Sequence, residues 1–194
     1  MPAGTNYLEM YWNTRIKQQE RGRKFEERYS MLQYKFLGDD IENLSEAKND
    51  QKMLGGKVQW IAFKDQFFSS VLINNQGFTS TVVESNIEET NSTYLKACKA
   101  EMTVPFDPYG KERTSFKWYL GPNHYKTLAA YDKGVHKDQS LQLNKLVPLG
   151  WKLWGWINRI AVIPMFDFFS RYISNFGIII YNFNISIFKL MKPT

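Results

Sequence analysis

Apolar and polar residues alternate from the start of the chain, with Leu8, Met10 and Trp12 set against Tyr7, Glu9 and Tyr11. That period of two predicts a short strand over 7–12 with one wet face. Asn13–Glu27 is dense in both charge signs and contains Gly22, so it is expected to be a solvated loop or hairpin tip. Strand character resumes over Tyr29–Leu37. Asp39–Gln51 is polar and expected to be exposed, with room for one helical turn, before Gly55-Gly56 punctuates the chain. Two aromatic-rich apolar runs follow, Lys57–Phe63 and Gln66–Ile73. Asn74-Asn75-Gln76-Gly77 is expected to turn the chain into a return strand over Phe78–Glu84, since Asn and Gly tolerate positive φ. Tyr94–Val104, the Pro105–Gly110 turn and Thr114–Leu120 form a second strand, turn, strand unit. Asn123–Asp132 predicts a short helix with Pro122 near its first turn, and Gly134–Ser140 a polar linker. Short strands with turn signals between them make a mainly β architecture, a β-sandwich, the expected fold.

The composition agrees. Of 194 residues 43% are hydrophobic and 16% aromatic, enough for one core and favourable to strands. A formal charge of +6 fits a solvated basic surface and also attraction to anionic lipid headgroups. Nucleic-acid recognition is not expected, because the cations of Arg15–Arg28 are interspersed with acids and no binding motif is present. Cys98 is the single cysteine, which excludes an internal disulfide and a zinc site built on several thiolates. It is expected to pack in or near a strand. No metal site, cofactor or catalytic residue is expected. Met1–Trp12 lacks the basic start, apolar run and cleavage site of a signal peptide, and both ends of the sequence look cut from something longer.

From Trp151 onward the character changes. One acid, Asp167, stands against Lys152, Arg159, Arg171, Lys189 and Lys192. Trp151, Trp154 and Trp156 fall within six residues, and indoles beside cations favour a membrane–water interface. A Trp-rich soluble core has the same composition. Pro164 is expected to break or kink a helix starting near Trp151. Past it, Met165, Phe166, Phe168, Phe169, Tyr172, Ile173 and Phe176 give a broad apolar face, with Asp167, Ser170, Arg171 and Ser174 on the other side. Such a helix suits the plane of the interface. The expected anchors are Trp151, Trp154, Trp156, Arg159, Phe166, Phe169 and Arg171. Beyond Ile178-Ile179-Ile180, Asn182, Ser186 and Lys189 share one face. A lysine within a bilayer costs about 2.5–3.5 kcal/mol unless it meets water. Lys189 therefore either lines a hydrophilic cavity or snorkels from a helix end, and spacing alone does not decide.

The order of elements resembles a family. Tyr119-Leu120-Gly121-Pro122, Leu149-Gly150-Trp151, Trp156-Ile157-Asn158, Ile163-Pro164 and Ser174-Asn175-Phe176-Gly177 before an isoleucine run are similar to YidC-type bacterial membrane protein insertases, above all their Bacteroidetes branch. Gly4-Thr5-Asn6-Tyr7-Leu8-Glu9, Arg23-Lys24-Phe25-Glu26-Glu27-Arg28-Tyr29, Phe63-Lys64-Asp65-Gln66-Phe67-Phe68-Ser69-Ser70 and Val104-Pro105-Phe106-Asp107-Pro108 extend the resemblance over nearly the whole chain. It implies that residues 1–147 are the C-terminal part of a periplasmic β-supersandwich. Residues 148–175 become an amphipathic interfacial helix region, and 176–194 the start of a transmembrane insertase core in the bacterial inner membrane. It further implies an intramembrane hydrophilic groove with a cation, for which Lys189 is the candidate, and insertion without nucleotide hydrolysis. The implied partners are nascent integral membrane proteins, the lipid bilayer, and the Sec translocon and ribosome. Tyr181-Asn182-Phe183-Asn184 departs from the family's aliphatic run, and Lys189 sits about one position late. A reading-frame shift across 181–188 in the source nucleotide sequence accounts for both.

Two other classes set the contrast. A carbohydrate-active enzyme has only His124 and His136 and the adjacent acids Asp39-Asp40 and Glu88-Glu89 to draw on, all in loop-like surroundings. A soluble β-sandwich binding module needs the aromatic C-terminus to dock on a protein.

Overall fold

The computed structural model describes residues 6–136, 139–149, 156, 158–173, 175, 177, 180 and 181. By its internal contacts the chain divides into two units, Met1–Val147 and Pro148–Thr194. The first is mainly antiparallel β. Its elements are β1 (Tyr7–Lys17), α1 (Arg23–Tyr29), β2 (Met31–Phe36), β3 (Ile41–Asn43), β4 (Asp50–Leu54), β5 (Val58–Lys64), β6 (Phe68–Ile87), β7 (Tyr94–Pro105), β8 (Lys117–Pro122) and α2 (Tyr125–Ala129).

The strands form two layers joined through the long β6. Its first half, Phe68–Ile73, lies between β5 and β8, and β5 continues to β2 and β3. Its second half pairs with β7 and β4, and β7 with β1. The core between the layers draws Leu32, Tyr34, Ile61, Phe63 and Leu72 from one side and Ile16, Val83, Cys98, Ala100 and Met102 from the other. On the outer face of β5 and β6, Trp60, Ala62, Val71 and Ile73 meet Leu128, Leu141, Leu143 and Leu146 of the segment that follows β8. This explains why β5 is buried along its whole length and carries the consecutive apolar residues Trp60, Ile61, Ala62 and Phe63 rather than an alternation.

The two long sides of this sandwich differ. On one, Lys52 of β4 reaches across to the Tyr34 hydroxyl (2.9 Å) and the Glu42 carboxylate (2.8 Å), and Tyr34 donates to Glu42 at 2.8 Å. On the other, Trp12 of β1 packs on Phe63 (3.9 Å between rings) and Trp118 (4.9 Å). There Trp118, Leu120 and Phe68 stay 51–69% exposed. Among the described residues β1 pairs only with β7 and β8 only with β6, so two open strand edges lie with this apolar rim.

Several expectations need correction. Asn74–Gly77 does not reverse the chain. Pairing slips from Trp60↔Ile73 to Val58↔Phe78, so these residues form a bulge where β6 passes from one layer to the other. Asn74 is fully buried; its carboxamide donates to the Gly77 carbonyl (3.3 Å) and accepts from the Gln76 N–H (2.9 Å). Gly77 supplies the positive φ (+83°), and a Cβ there would stand 2.9 Å from Lys57 Cβ. The reversal is at Asp65, whose carboxylate accepts the N–H groups of Phe67 (2.7 Å) and Phe68 (2.6 Å). Asn13–Glu27 is not a solvated loop: β1 runs to Lys17, and α1 begins at Arg23. Some of its charges are held within the fold, while Lys17, Glu20, Arg21 and Lys24 stay exposed. The buried Glu26 carboxylate accepts the N–H groups of Gln19 and Glu20, and Arg23 donates to the carbonyls of Glu88, Ser92 and Tyr94. Asp39–Gln51 holds β3 and the start of β4 in place of a helical turn. Finally, β7 and β8 do not face each other but belong to different layers.

Candidate membrane interface

After Val147 the described residues are helical around Pro164. Asn158–Val162 is a π-helical turn, and α3 (Ile163–Ser170) follows with Pro164 in its first turn. Proline removes one amide donor and its ring presses on the carbonyl four residues earlier, that of Ile160. A wider turn there relieves the clash, so Pro164 joins two helical pieces. The Ile173 N–H still bonds to the Phe169 carbonyl at 2.8 Å, and Ser170 Oγ donates to the Asp167 carbonyl at 3.1 Å.

The exposed surface of this segment is apolar to an unusual degree. Trp156, Ile160, Phe168 and Tyr172 are each 56–75% exposed, and with the exposed Pro164 they recur at every fourth position. Residues four apart on a helix are surface neighbours. Phe168 stacks tilted on Tyr172 at 5.4 Å and edge-on to Phe169 at 5.5 Å, so the C-terminal end of the row is an aromatic cluster. Exposing this much large apolar surface is characteristic of a contact face.

Of the expected anchors, Trp156, Arg159, Phe169 and Arg171 are exposed, and Phe166 is half-buried. Trp151, Trp154 and Lys189 lie outside the described residues, as do the polar stripe at Asn182 and Ser186 and the interrupted run 182–188. Ile160 was not among the expected anchors. Its signal was present in the four-residue spacing from Trp156 through Pro164, which a reading broken at the proline does not follow. Among the described residues no helix is long and apolar enough to cross a membrane. The expected transmembrane start at 176–194 falls almost wholly outside them.

The β unit offers little to the enzyme class. His124 and His136 are both exposed, with His124 Nδ1 2.8 Å from Thr127 Oγ1. Asp40 pairs with Lys145 (2.8 Å) and Glu88 with Arg15 (2.9 Å), so the adjacent acids serve surface ion pairs. An open groove beside the β7–β8 connection is lined by Phe106, Tyr109, Arg113 and Asp107. Hydrogen bonds from the Glu112 and Tyr109 amides hold the Asp107 carboxyl below its ordinary range, which suits a turn acceptor better than a proton donor or base.

Comparison with known proteins gives these features a context. The family model described as the YidC periplasmic domain matches residues 3–163. A membrane protein insertase YidC of Parabacteroides distasonis is 46% identical over 193 residues, covering 100% of this chain and 30% of that protein. The one from Bacteroides fragilis is 45% identical over 193 residues, covering 100% and 31%, and that of Porphyromonas gingivalis 36% over 193 residues, covering 99% and 31%. The chain thus spans about 30% of the length of the curated relatives it matches. A two-layer antiparallel unit followed by an aromatic, acid-poor helical segment, matched along nearly its full length, means that the chain belongs to the YidC periplasmic-domain family.

Proposed function

We infer that this chain is part of a membrane protein insertase of the bacterial inner membrane. Residues 1–147 form the C-terminal part of a periplasmic β-sandwich, 148–175 rest on the bilayer surface, and 176–194 begin the insertase core. The observation that carries this reading is the exposed ridge Trp156, Ile160, Phe168 and Tyr172, in a stretch with one acid between residues 151 and 194. Rings with polar edges beside arginines settle at the headgroup level, where the apolar body leaves water and the cation does not.

The insertion itself is assigned to segments beyond these residues. A hydrophilic groove within the bilayer, bearing a cation for which Lys189 is the candidate, lowers the cost of passing polar segments through hydrocarbon. There each unsatisfied backbone group costs several kcal/mol. No nucleotide takes part in such a partition. Nascent membrane proteins are the clients, with the Sec translocon and ribosome as further partners.

The test is a chimera in which this chain replaces the matching third of the Parabacteroides distasonis insertase. It is expected to restore growth and membrane-protein insertion to cells depleted of their own insertase. A chimera that reaches the membrane yet restores neither sinks the assignment.

The open apolar rim supports the placement of residues 1–147 within a larger sandwich. In the chimera, strands that precede this segment cover Trp118, Leu120 and Phe68 by pairing along the free edge of β8. Leu120→Cys is therefore expected to react with a water-soluble maleimide about tenfold or more slowly than Met53→Cys on the edge strand β4, the factor that ~1.4 kcal/mol of local opening imposes. Equal labelling of the two counts against the larger sandwich. Cys98 adds no background, since it is fully buried and desolvation pushes its thiol up to about 11.

A further inference from the structure

We propose that residues 156–173 select an anionic lipid surface, through Arg159 and Arg171 placed along one flank of the exposed apolar ridge; this rests on the interfacial reading above. Each arginine stands one position before a ridge residue, Arg159 before Ile160 and Arg171 before Tyr172. One position is about 100° around a helix, so both leave the ridge on the same side. They stand about three helical turns apart, far enough to engage different headgroups.

Both arginines are exposed. Asp167, which shares their flank at the four-residue spacing, is half-exposed. From residue 151 onward the sequence has five cations against this one acid. A guanidinium forks onto phosphate oxygens with two parallel hydrogen bonds, and in an anionic headgroup no neighbouring ammonium competes for them. The partner is then a membrane surface bearing net negative charge rather than a zwitterionic one, and the apolar ridge enters it while the flank stays at phosphate level.

The 194-residue chain is floated with vesicles of phosphatidylcholine alone and of phosphatidylcholine mixed with phosphatidylglycerol. Binding to the mixed vesicles is expected to be tighter, by about fivefold for each arginine engaged, the factor that ~1 kcal/mol per cation at an anionic surface gives. The double variant R159Q/R171Q, which keeps helix propensity nearly unchanged, is expected to lose that preference and to keep its binding to phosphatidylcholine. Equal binding of the parent chain to both vesicles overturns the anionic selection and leaves the interfacial reading standing. Binding to neither overturns the interfacial reading itself. A double variant with its full preference intact moves the selection to other cations and overturns the assignment to Arg159 and Arg171.

Discussion

Replacing Trp60 with alanine is expected to cost the β unit about 4 kcal/mol and to release the segment after β8 from the sheet. Trp60 is fully buried on the outer face of β5, and its indole N–H donates to the Leu141 carbonyl at 2.8 Å. Around it lie Ala62, Val71, Ile73 and Tyr119 of the sheet and Leu128, Leu143 and Leu146 of the covering segment. Truncation leaves a cavity that no single neighbour can fill, because these residues come from separate elements. It also strands the Leu141 carbonyl, for which loss of the partner costs about 1–3 kcal/mol if water does not replace it. Against a domain stability of roughly 5–15 kcal/mol, that is enough to leave much of the population unfolded near body temperature. Urea unfolding of the 194-residue chain measures it, and Trp60→Phe separates the two contributions. Phenylalanine keeps most of the volume and loses the donor, so it is expected to cost about 1–2 kcal/mol. If alanine costs no more than phenylalanine, the indole is not the keystone of this layer.

How far the sequence revealed this fold depended on whether a residue's partner was near in the chain. Alternation over Tyr7–Trp12 and the apolar runs around Trp60 and Val71 located strands, because period and burial are local properties. The same rule failed past Asn13. There Arg15 lies over the Tyr94 ring at 4.1 Å and Arg23 caps carbonyls of the β6–β7 connection, partners about 70 residues away. A charge-rich stretch with distant partners looks the same as a solvated one. Asn74–Gly77 failed differently: only Gly77 adopts the positive φ expected of the turn, and a bulge and a hairpin ask for the same residue types. What separates them is the burial of Asn74.

The buried lysines carry the same lesson. Lys35, Lys64 and Lys96 are each at most 2% exposed on strands β2, β5 and β7. Each ammonium donates to uncharged oxygens: Lys35 to Gln59 Oε1 (2.9 Å), Lys64 to the Tyr29 carbonyl (2.9 Å) and Lys96 to the Glu46 carbonyl (2.9 Å). Desolvation lowers the pKa of all three, with nearby acids only partly offsetting it. Little in their neighbours along the chain marks them, since Gln59, Tyr29 and Glu46 lie 24, 35 and 50 residues away in sequence. The candidate interface was more legible, because tryptophan density and the lack of acids are properties of composition. Its register was not. The exposed row includes Ile160 and Phe168, whereas Phe166 is half-buried.

That register makes the second large effect specific. The variant I160D/F168D removes two apolar side chains from the middle of the ridge. Each loses about 1.5–3 kcal/mol of transfer free energy into the interface, so vesicle binding is expected to fall by about a hundredfold or more. The acidic replacements also oppose whatever negative charge the surface carries. Ser170→Asp, on the same helix and equally open to solvent, adds one negative charge without removing apolar area. It is expected to weaken binding only about fivefold, the worth of one charge at a lipid surface. Flotation of the three proteins therefore separates apolar seating from simple charge attraction. In the insertase chimera the same double variant is expected to abolish rescue of depleted cells while S170D retains it. If I160D/F168D binds vesicles as the parent does, the ridge does not face lipid, and its exposed aromatic side chains must answer to a protein surface instead.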